Sequence, residues 1–354
     1  MNSQTLEFYK GKKVLVTGHT GFKGSWLTKI LADAGAEVTG YSRCSEKPVS
    51  LYELSEVSGS VNTVAGDICD YDRLLEAFKQ SKPEIVIHMA AQPIVRESYR
   101  DPAYTYRTNV MGTVNVLECV RNTSTVKSLL NVTTDKVYRN NEWPWGYREN
   151  EFLDGLDPYS NSKSCSEIIT HSYNSSFLQE AGVAVSTARA GNVIGGGDFS
   201  PDRLIPDCVR AAISGETMLI RNPDSTRPFQ HVLEPLFAYL MIAAKQYEDA
   251  KYSGWYNVGP DDCDCVNTEK LVSMFAEKWG DEFSYKIKRE KDAPHEANFL
   301  KLDCSKLKST FGWQPRWRIE EAVAKTVEWT AVWQTGGDVP AEMAREIRAW
   351  LSKA

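Results

Sequence analysis

Three glycines set three residues apart, Gly18, Gly21 and Gly24, follow the apolar run Val14-Leu15-Val16 and lead into Ser25-Trp26-Leu27. The run reads as a buried strand, the glycines as a turn free of side chains, and the stretch beyond as an amphipathic helix. This unit brings backbone N–H groups and the positive end of a helix to one point, an arrangement suited to a pyrophosphate. Its first glycine interval is one residue longer than in Gly-x-Gly-x-x-Gly. A chain with this start is expected to build a parallel sheet outward from that strand.

The chain has 354 residues, 42% hydrophobic and 25% charged, enough for one large or two ordinary domains. A net charge of -6 argues against a nucleic-acid partner, which requires a basic face. No apolar stretch is long enough to span a bilayer. Met1 to Tyr9 lack the apolar core of a signal peptide, so a cytoplasmic location is expected. The eight cysteines are scattered and read as reduced thiols. Cys263 and Cys265 form the one close pair, without a second pair at zinc spacing, so no metal is expected.

Along the chain, apolar runs alternate with helical patterns. Strands are expected at Ala36–Tyr41, Val61–Ala65, Glu84–Ala90, Lys127–Thr133 and Val183–Ala188. Helices are expected from the glycine turn to near Gly35, and at Tyr71–Gln80, Ala103–Val120 and Tyr159–Glu180. This alternation means βαβ units: a doubly wound, Rossmann-type parallel sheet, with ligands at the C-terminal edge of its strands. Residues 1–190 are expected to form that domain. Beyond it the rhythm changes, with a long polar loop from Asp198 to Pro206 and helices at Pro206–Ser214, Leu233–Tyr247, Asn267–Trp279, Cys304–Phe311 and Ile319–Trp333. Short strands are expected at Met218–Ile220 and Trp255–Val258. Residues 191–354 thus read as a smaller, mixed α/β substrate lobe that returns a strand or helix, from about 229–260, to the first domain.

Two stretches carry chemistry. In Tyr159-Ser-Asn-Ser-Lys163, i, i+4 spacing puts a phenol and an ammonium on one helix face. A phenol is a poor base at neutral pH, and a nearby cation favours its phenolate. The second is Thr133-Thr134-Asp135-Lys136, at the end of the fifth apolar run. There a hydroxyl, a carboxyl and an amine stand where strand ends face a ligand.

These pieces, with Asp67-Ile68, His88-Met-Ala-Ala-Gln92, Thr108-Asn109-Val110, Arg189-Ala-Gly-Asn-Val193, Arg203-Leu-Ile-Pro206, Arg227-Pro-Phe-Gln-His231 and Tyr256-Asn-Val-Gly259, span nearly the whole chain. Together they resemble the extended short-chain dehydrogenase/reductase family, in the branch acting on nucleotide sugars. Most 4,6-dehydratases there carry Thr-Asp-Glu. Lys136 in the third place, His19–Trp26 and Arg221–Pro228 resemble the CDP-glucose 4,6-dehydratase branch.

The resemblance implies the following. Thr134, Asp135, Lys136, Tyr159 and Lys163 are catalytic. Tyr159, aided by Thr134, takes the C4 hydroxyl proton, Asp135 protonates the departing C6 oxygen, and Lys136 serves as the C5 base or stabilises the enolate. The cofactor is NAD, contacted by Gly18, Thr20, Gly21, Phe22, Lys23, Gly24, Ser42, Arg43, Asp67, Ile68, Ala90, Ala91, Gln92, Asn109 and Thr133, with Tyr159 and Lys163 at its nicotinamide ribose. Tyr41-Ser42-Arg43 lacks the acid that NAD sites place after the second strand, which keeps NADP as the alternative and predicts exchangeable binding. The substrate is CDP-glucose, contacted by Gln92, Asn192, Arg203, Leu204, Arg221, Arg227 and Glu296, and the product is a 4-keto-6-deoxy sugar for deoxysugar biosynthesis. His88 packs near the cofactor without acting. A homodimer or dimer of dimers would pair the helices at Ala103 and Tyr159. A 4-epimerase, a dehydratase for another nucleotide and a non-catalytic NAD(P)-sensing regulator are the competing readings. Asp135-Lys136 separates the first, and the intact Tyr159-Lys163 pair the last.

Overall fold

β1 (Lys13–Thr17) is buried along its whole length after the first residue, as a central strand covered on both faces must be. A computed structural model of the chain describes residues 3–43, 49–288 and 299–353. In it β1 lies between β2 (Glu37–Ser42) and β4 (Ile85–His88). β3 (Asn62–Ala65) continues the sheet past β2, and β5 (Ser128–Val132) and β6 (Ala184–Ala190) continue it past β4. β7 (Gly254–Val258), drawn from beyond residue 190, closes the edge beside β6. Among the described residues these seven strands form one sheet in the order β7-β6-β5-β4-β1-β2-β3, every neighbouring pair parallel. The strand order reverses between β1 and β4. That switch opens a crevice at the C-terminal ends.

Helices cover both faces. On one side α1 (Phe22–Asp33) and the later α6 (Leu233–Glu248) and α7 (Val339–Ser352) share a core with Val14, Val16, Ile85, Ile87 and Leu130. On the other, α2 (Tyr71–Ser81), α3 (Gly112–Arg121) and α4 (Pro158–Tyr173) close over Leu15, Val86 and Leu129. The expected doubly wound sheet is the observed one. A separate core gathers Ile205 and Cys208 of α5 (Leu204–Ser214) with Leu271, Phe275, Ile319 and Val323 from two further helices. Beside it Met218–Ile220 pairs in parallel with Tyr285–Ile287, giving the smaller lobe its mixed α/β character.

Three departures from the expected elements have physical causes. The fourth strand stops at His88 rather than Ala90, because the amides of Met89 and Ala90 turn to Thr17 Oγ1 at 3.1 and 3.2 Å. This brings Ala90 under Gly18, where a Cβ would lie 2.8 Å from its nitrogen. Both long helical patterns are broken by a π turn, at Arg107–Met111 and at Asn174–Leu178. α7 was not anticipated. Its Val339, Met343, Ile347 and Trp350 are buried at helical spacing, but Glu342 and Glu346 lie buried on the same face and mask the stripe. Among the described residues no helix is long and apolar enough to cross a membrane.

Candidate active site

One continuous cavity of about 1180 Å³ runs from the glycine turn, across the strand ends, to α5 and the loop bearing Arg221 and Arg227. This exceeds the roughly 300–1,000 Å³ of a pocket for one small molecule and leaves room for two ligands side by side.

The glycine turn forms one end. Gly18 adopts φ +76°, and a Cβ on Gly24 would sit 2.1 Å from Gly18 O, so both are glycine for reasons internal to the protein. Gly21 differs. It is exposed at the cavity, its φ is -75°, and a Cβ would meet only Gly18 O at 3.4 Å. Gly21 also caps α1 without a side-chain hydrogen bond, whereas Asp70 and Asp157 cap α2 and α4 through their carboxylates. The first turn of α1 therefore keeps its amides for something else. In the cavity wall, Thr108 Oγ1 is buried without a partner. These features fit a dinucleotide laid across the turn.

The other end is assembled by α4. Asp157 accepts from Ser160 N at 3.0 Å and Pro158 takes the first helical position, so Tyr159 stands second in α4 and Lys163 follows one turn later. Three ties along α4 hold the end of β5 against it. Lys163 Nζ donates to Val132 O at 3.2 Å, Ser164 Oγ to Val137 O at 2.7 Å, and Thr133 Oγ1 to Glu167 Oε1 at 2.5 Å. Between them Asp135 and Lys136 sit on a short turn, Asp135–Val137, whose backbone is capped by Thr134.

Glu167 anchors this arrangement. It and Arg189 of β6 are both fully buried, with Nη2 to Oε2 at 2.8 Å. Thr187 Oγ1 also donates to Glu167, and Arg189 donates to Tyr138 OH and Glu149 O. Burial opposes the Glu167 charge, but Arg189 and the surrounding donors outweigh it and hold the carboxyl at about 2.

The chemistry-bearing groups are displaced from their ordinary ionisation. Burial raises Asp135, against the pull of Lys136, Thr134 and Arg227. Its Oδ1 accepts from Thr134 Oγ1 at 2.9 Å, and its Oδ2 is buried without a partner. Gly191 shapes this pocket, since a Cβ there would press Pro228 at 2.5 Å and Asp135 Oδ2 at 3.2 Å. Burial pushes Tyr159 up to about 12, with the Thr134 hydroxyl and the Arg203 charge acting the other way. The expected lowering of the phenol by Lys163 is thus not the dominant effect: Lys163 is itself brought down to about 8 by burial, against the attraction of Glu167. Lys23 is lowered to about 7 by burial and then by the charges of Arg203 and Lys163. Lys23, Lys163 and Arg203 line the cavity together with Arg43, Lys136, Arg221 and Arg227, which makes it attractive to an anion.

The expected residues Gly18, Thr20, Gly21, Phe22, Lys23, Gly24, Ser42, Arg43, Asp67, Ile68, Ala90, Ala91, Thr133, Thr134, Asp135, Lys136, Tyr159 and Lys163 all line the cavity. Asn192, Arg203, Leu204, Arg221 and Arg227 line it too. Gln92 and Asn109, expected at the cofactor and Gln92 also at the substrate, do not line it. Asn109 accepts from Gln92 N at 2.8 Å and donates to Gln92 O and Ser162 Oγ, while the Gln92 amide joins Thr105 Oγ1 and Ile94 N. Their polar atoms are spent on each other and on α4. Thr108, one residue earlier, takes the cavity position instead. Glu296 lies outside the described residues. His88 is buried between Thr17 and Thr113 and lowered to about 3, chiefly by burial. Sequence reasoning missed Val49–Leu51 and Phe199, an apolar part of the wall with no motif to mark it.

The family model of GDP-mannose 4,6 dehydratase matches residues 15–326. The chain belongs to that family. It is 47% identical over 351 residues, 98% of either chain, to CDP-glucose 4,6-dehydratase of Salmonella typhimurium. MoeE5, solved in complex with UDP-glucose and NAD, is 27% identical with a TM-score of 0.76, covering 91% of this chain and 99% of that one. The dTDP-glucose 4,6-dehydratase of Bacillus anthracis, at 21% identity and a TM-score of 0.77 over 92% and 99% of the two chains, shares the fold.

Two outcomes are expected. Gly21→Ala keeps its stability within about 0.5 kcal/mol, yet weakens dinucleotide binding measured by calorimetry about tenfold or more. For Asp135, the folded carboxyl holds its proton above the ordinary carboxylate range, so the unfolded chain binds fewer protons there and this residue lowers stability as pH rises. Asp135→Asn therefore stabilises the protein, purified free of nucleotide, more at neutral pH than at mildly acid pH. Urea melts at the two pH values check this.

Proposed function

We propose that this chain is a CDP-glucose 4,6-dehydratase that uses NAD and leaves it unchanged at the end of each turnover. The observation that carries the reading is that Asp135 and Lys136 share one cavity with Tyr159 and Lys163. An epimerase needs the second pair alone. The 47% identity to a CDP-glucose enzyme, over 98% of the chain, supports the choice of nucleotide.

The residues divide the work as follows. The first turn of α1 and the glycines hold the pyrophosphate of the cofactor, and Lys163 holds its nicotinamide ribose. Held there, NAD would supply a reversible hydride acceptor, for the hydride that leaves C4 of the sugar and returns at C6. Tyr159, aligned by Thr134, takes the proton of the C4 hydroxyl; with burial holding the phenol at about 12, positive charge brought close to it has to favour its phenolate. With a ketone at C4 the C5 hydrogen becomes acidic, and Lys136 is assigned as the base that removes it. Asp135, whose hold on a proton is strengthened by burial, is assigned to give that proton to the C6 oxygen, which leaves as water. Lys136 then returns its proton to C5. The proton gained by Tyr159 and the one lost by Asp135 balance through solvent. The product is a 4-keto-6-deoxy sugar.

Asn192, Leu204, Arg203, Arg221 and Arg227 are assigned to the nucleotide end of the substrate. Arginine suits a bidentate grip on its phosphates, and Arg203 Nε is buried without a protein partner. Residues 1–190 are taken as the cofactor-binding domain and 191–354 as the substrate lobe, which returns α6 and β7 (within about 229–260) to the first domain, where α7 also packs. A homodimer, or a dimer of dimers, is proposed through the helical face that exposes Tyr99, Met111 and Ile168.

With CDP-glucose and a catalytic amount of NAD, proton NMR is expected to show a new C6 methyl group beside a C4 ketone, without NADH accumulating. Lys136→Met is expected to keep C4 oxidation, seen as a single-turnover rise in nicotinamide absorbance, and to lose dehydration by about a hundredfold or more. CDP-galactose as product would instead make the chain an epimerase. NAD binding without turnover of any nucleotide glucose would make it a sensor.

A further inference from the structure

The end of β2 decides how a bound dinucleotide presents its adenosine ribose, because that strand runs beside β1 and its last residues face the cavity. A site restricted to an unphosphorylated ribose places a carboxylate there, to accept from the 2′-hydroxyl and repel a 2′-phosphate. This chain has Ser42 and Arg43. Ser42 Oγ lies 2.9 Å from both Thr20 Oγ1 and His19 Nδ1, so its hydroxyl is held beside the glycine turn. The histidine behind it is fixed in turn. Its Nε2 reaches Thr63 Oγ1 at 3.3 Å, Tyr52 packs edge-on against its ring, and a Cβ on Gly40 would collide with it at 2.2 Å.

Arg43 is exposed on the rim of the cavity. Among the described residues no carboxylate pairs with it, and its contact is with the Tyr104 ring, 5.8 Å from the guanidinium carbon to the ring centre. Such a cation–π contact orients the group without neutralising it. The carboxylate that shares this end of the cavity, Asp67, has its Oδ1 engaged by the Cys69 amide at 2.9 Å. A hydroxyl held in place and a charged fork that no carboxylate among the described residues pairs with are complementary to a phosphate monoester.

We propose that the end of β2 receives a phosphate on the adenosine ribose, so that this chain accepts the 2′-phosphorylated dinucleotide NADP as well as NAD, with Arg43 setting the choice. The inference rests on the dinucleotide reading above and extends it. Because the cofactor ends each turnover as it began, the sugar chemistry is indifferent to the extra phosphate. Selection at this point is then a matter of binding alone.

The test is binding of NADH and NADPH to the purified enzyme, each followed by energy transfer from tryptophan to the nicotinamide, with 2′,5′-ADP and 5′-ADP as competitors. NADPH is expected to bind within about tenfold of NADH, and 2′,5′-ADP to displace either at least as well as 5′-ADP. In Arg43→Leu the ratio of the NADPH to the NADH dissociation constant should rise about tenfold or more, and Arg43→Lys should recover part of it. NADPH binding more than about a hundredfold weaker than NADH, or an equal loss of both in Arg43→Leu, would overturn the proposal while leaving the dinucleotide site intact. Failure of both dinucleotides to bind would overturn it together with the reading on which it rests.

Discussion

The buried pair of Glu167 and Arg189 is the interaction on which the site depends. Neither side chain reaches solvent, and at 2.8 Å each is the other's compensation for the loss of water. The pair also binds three elements at once. Glu167 belongs to α4, Arg189 to β6, and Thr133, whose hydroxyl Glu167 accepts, to the end of β5. Lys163 lies one turn before Glu167 on the same helix. The position of the catalytic helix relative to the strand ends is therefore set from beneath by a charge pair that touches no ligand. Such pairs are weak evidence for stability and better evidence for fixed geometry.

Burial has a second consequence at the top of α4. Three groups of the site sit where water is scarce and are driven toward their neutral forms: Asp135 upward, Lys163 downward, Tyr159 to about 12. Expulsion of a hydroxyl calls for a carboxyl that keeps its proton, and burial moves Asp135 in that direction. The phenol is the costly element. Its ionisation has to be drawn out by positive charge brought close to it, which ties proton removal at C4 to a fully assembled site.

Much of this was legible in the sequence, and the parts that were not share a cause. The glycine turn could be read because its demands are local: φ at Gly18 and the backbone approach at Gly24 follow from spacing alone. Tyr159 and Lys163 could be read because i, i+4 on a capped helix determines a common face. That Gln92 and Asn109 lie off the cavity lining was not legible, because their partners are long-range. An amide that closes a loop onto a helix looks, in sequence, like one that binds a ligand. The last helix was missed because Glu342 and Glu346 interrupt its apolar face and are buried there all the same. Glu167 carried no signal of its own, since its meaning comes from Arg189, on a strand formed later in the chain.

The central claim is that a redox cofactor serves a dehydration here by moving one hydride within a single sugar. It is tested most directly with CDP-glucose deuterated at C4, turned over beside unlabelled substrate and analysed by mass spectrometry and NMR of the C6 methyl group. The account predicts that deuterium leaves C4, arrives at C6 of the same molecule and does not scramble into unlabelled product. Deuterium retained at C4 of a sugar with its C6 oxygen intact, or lost to solvent, would contradict it.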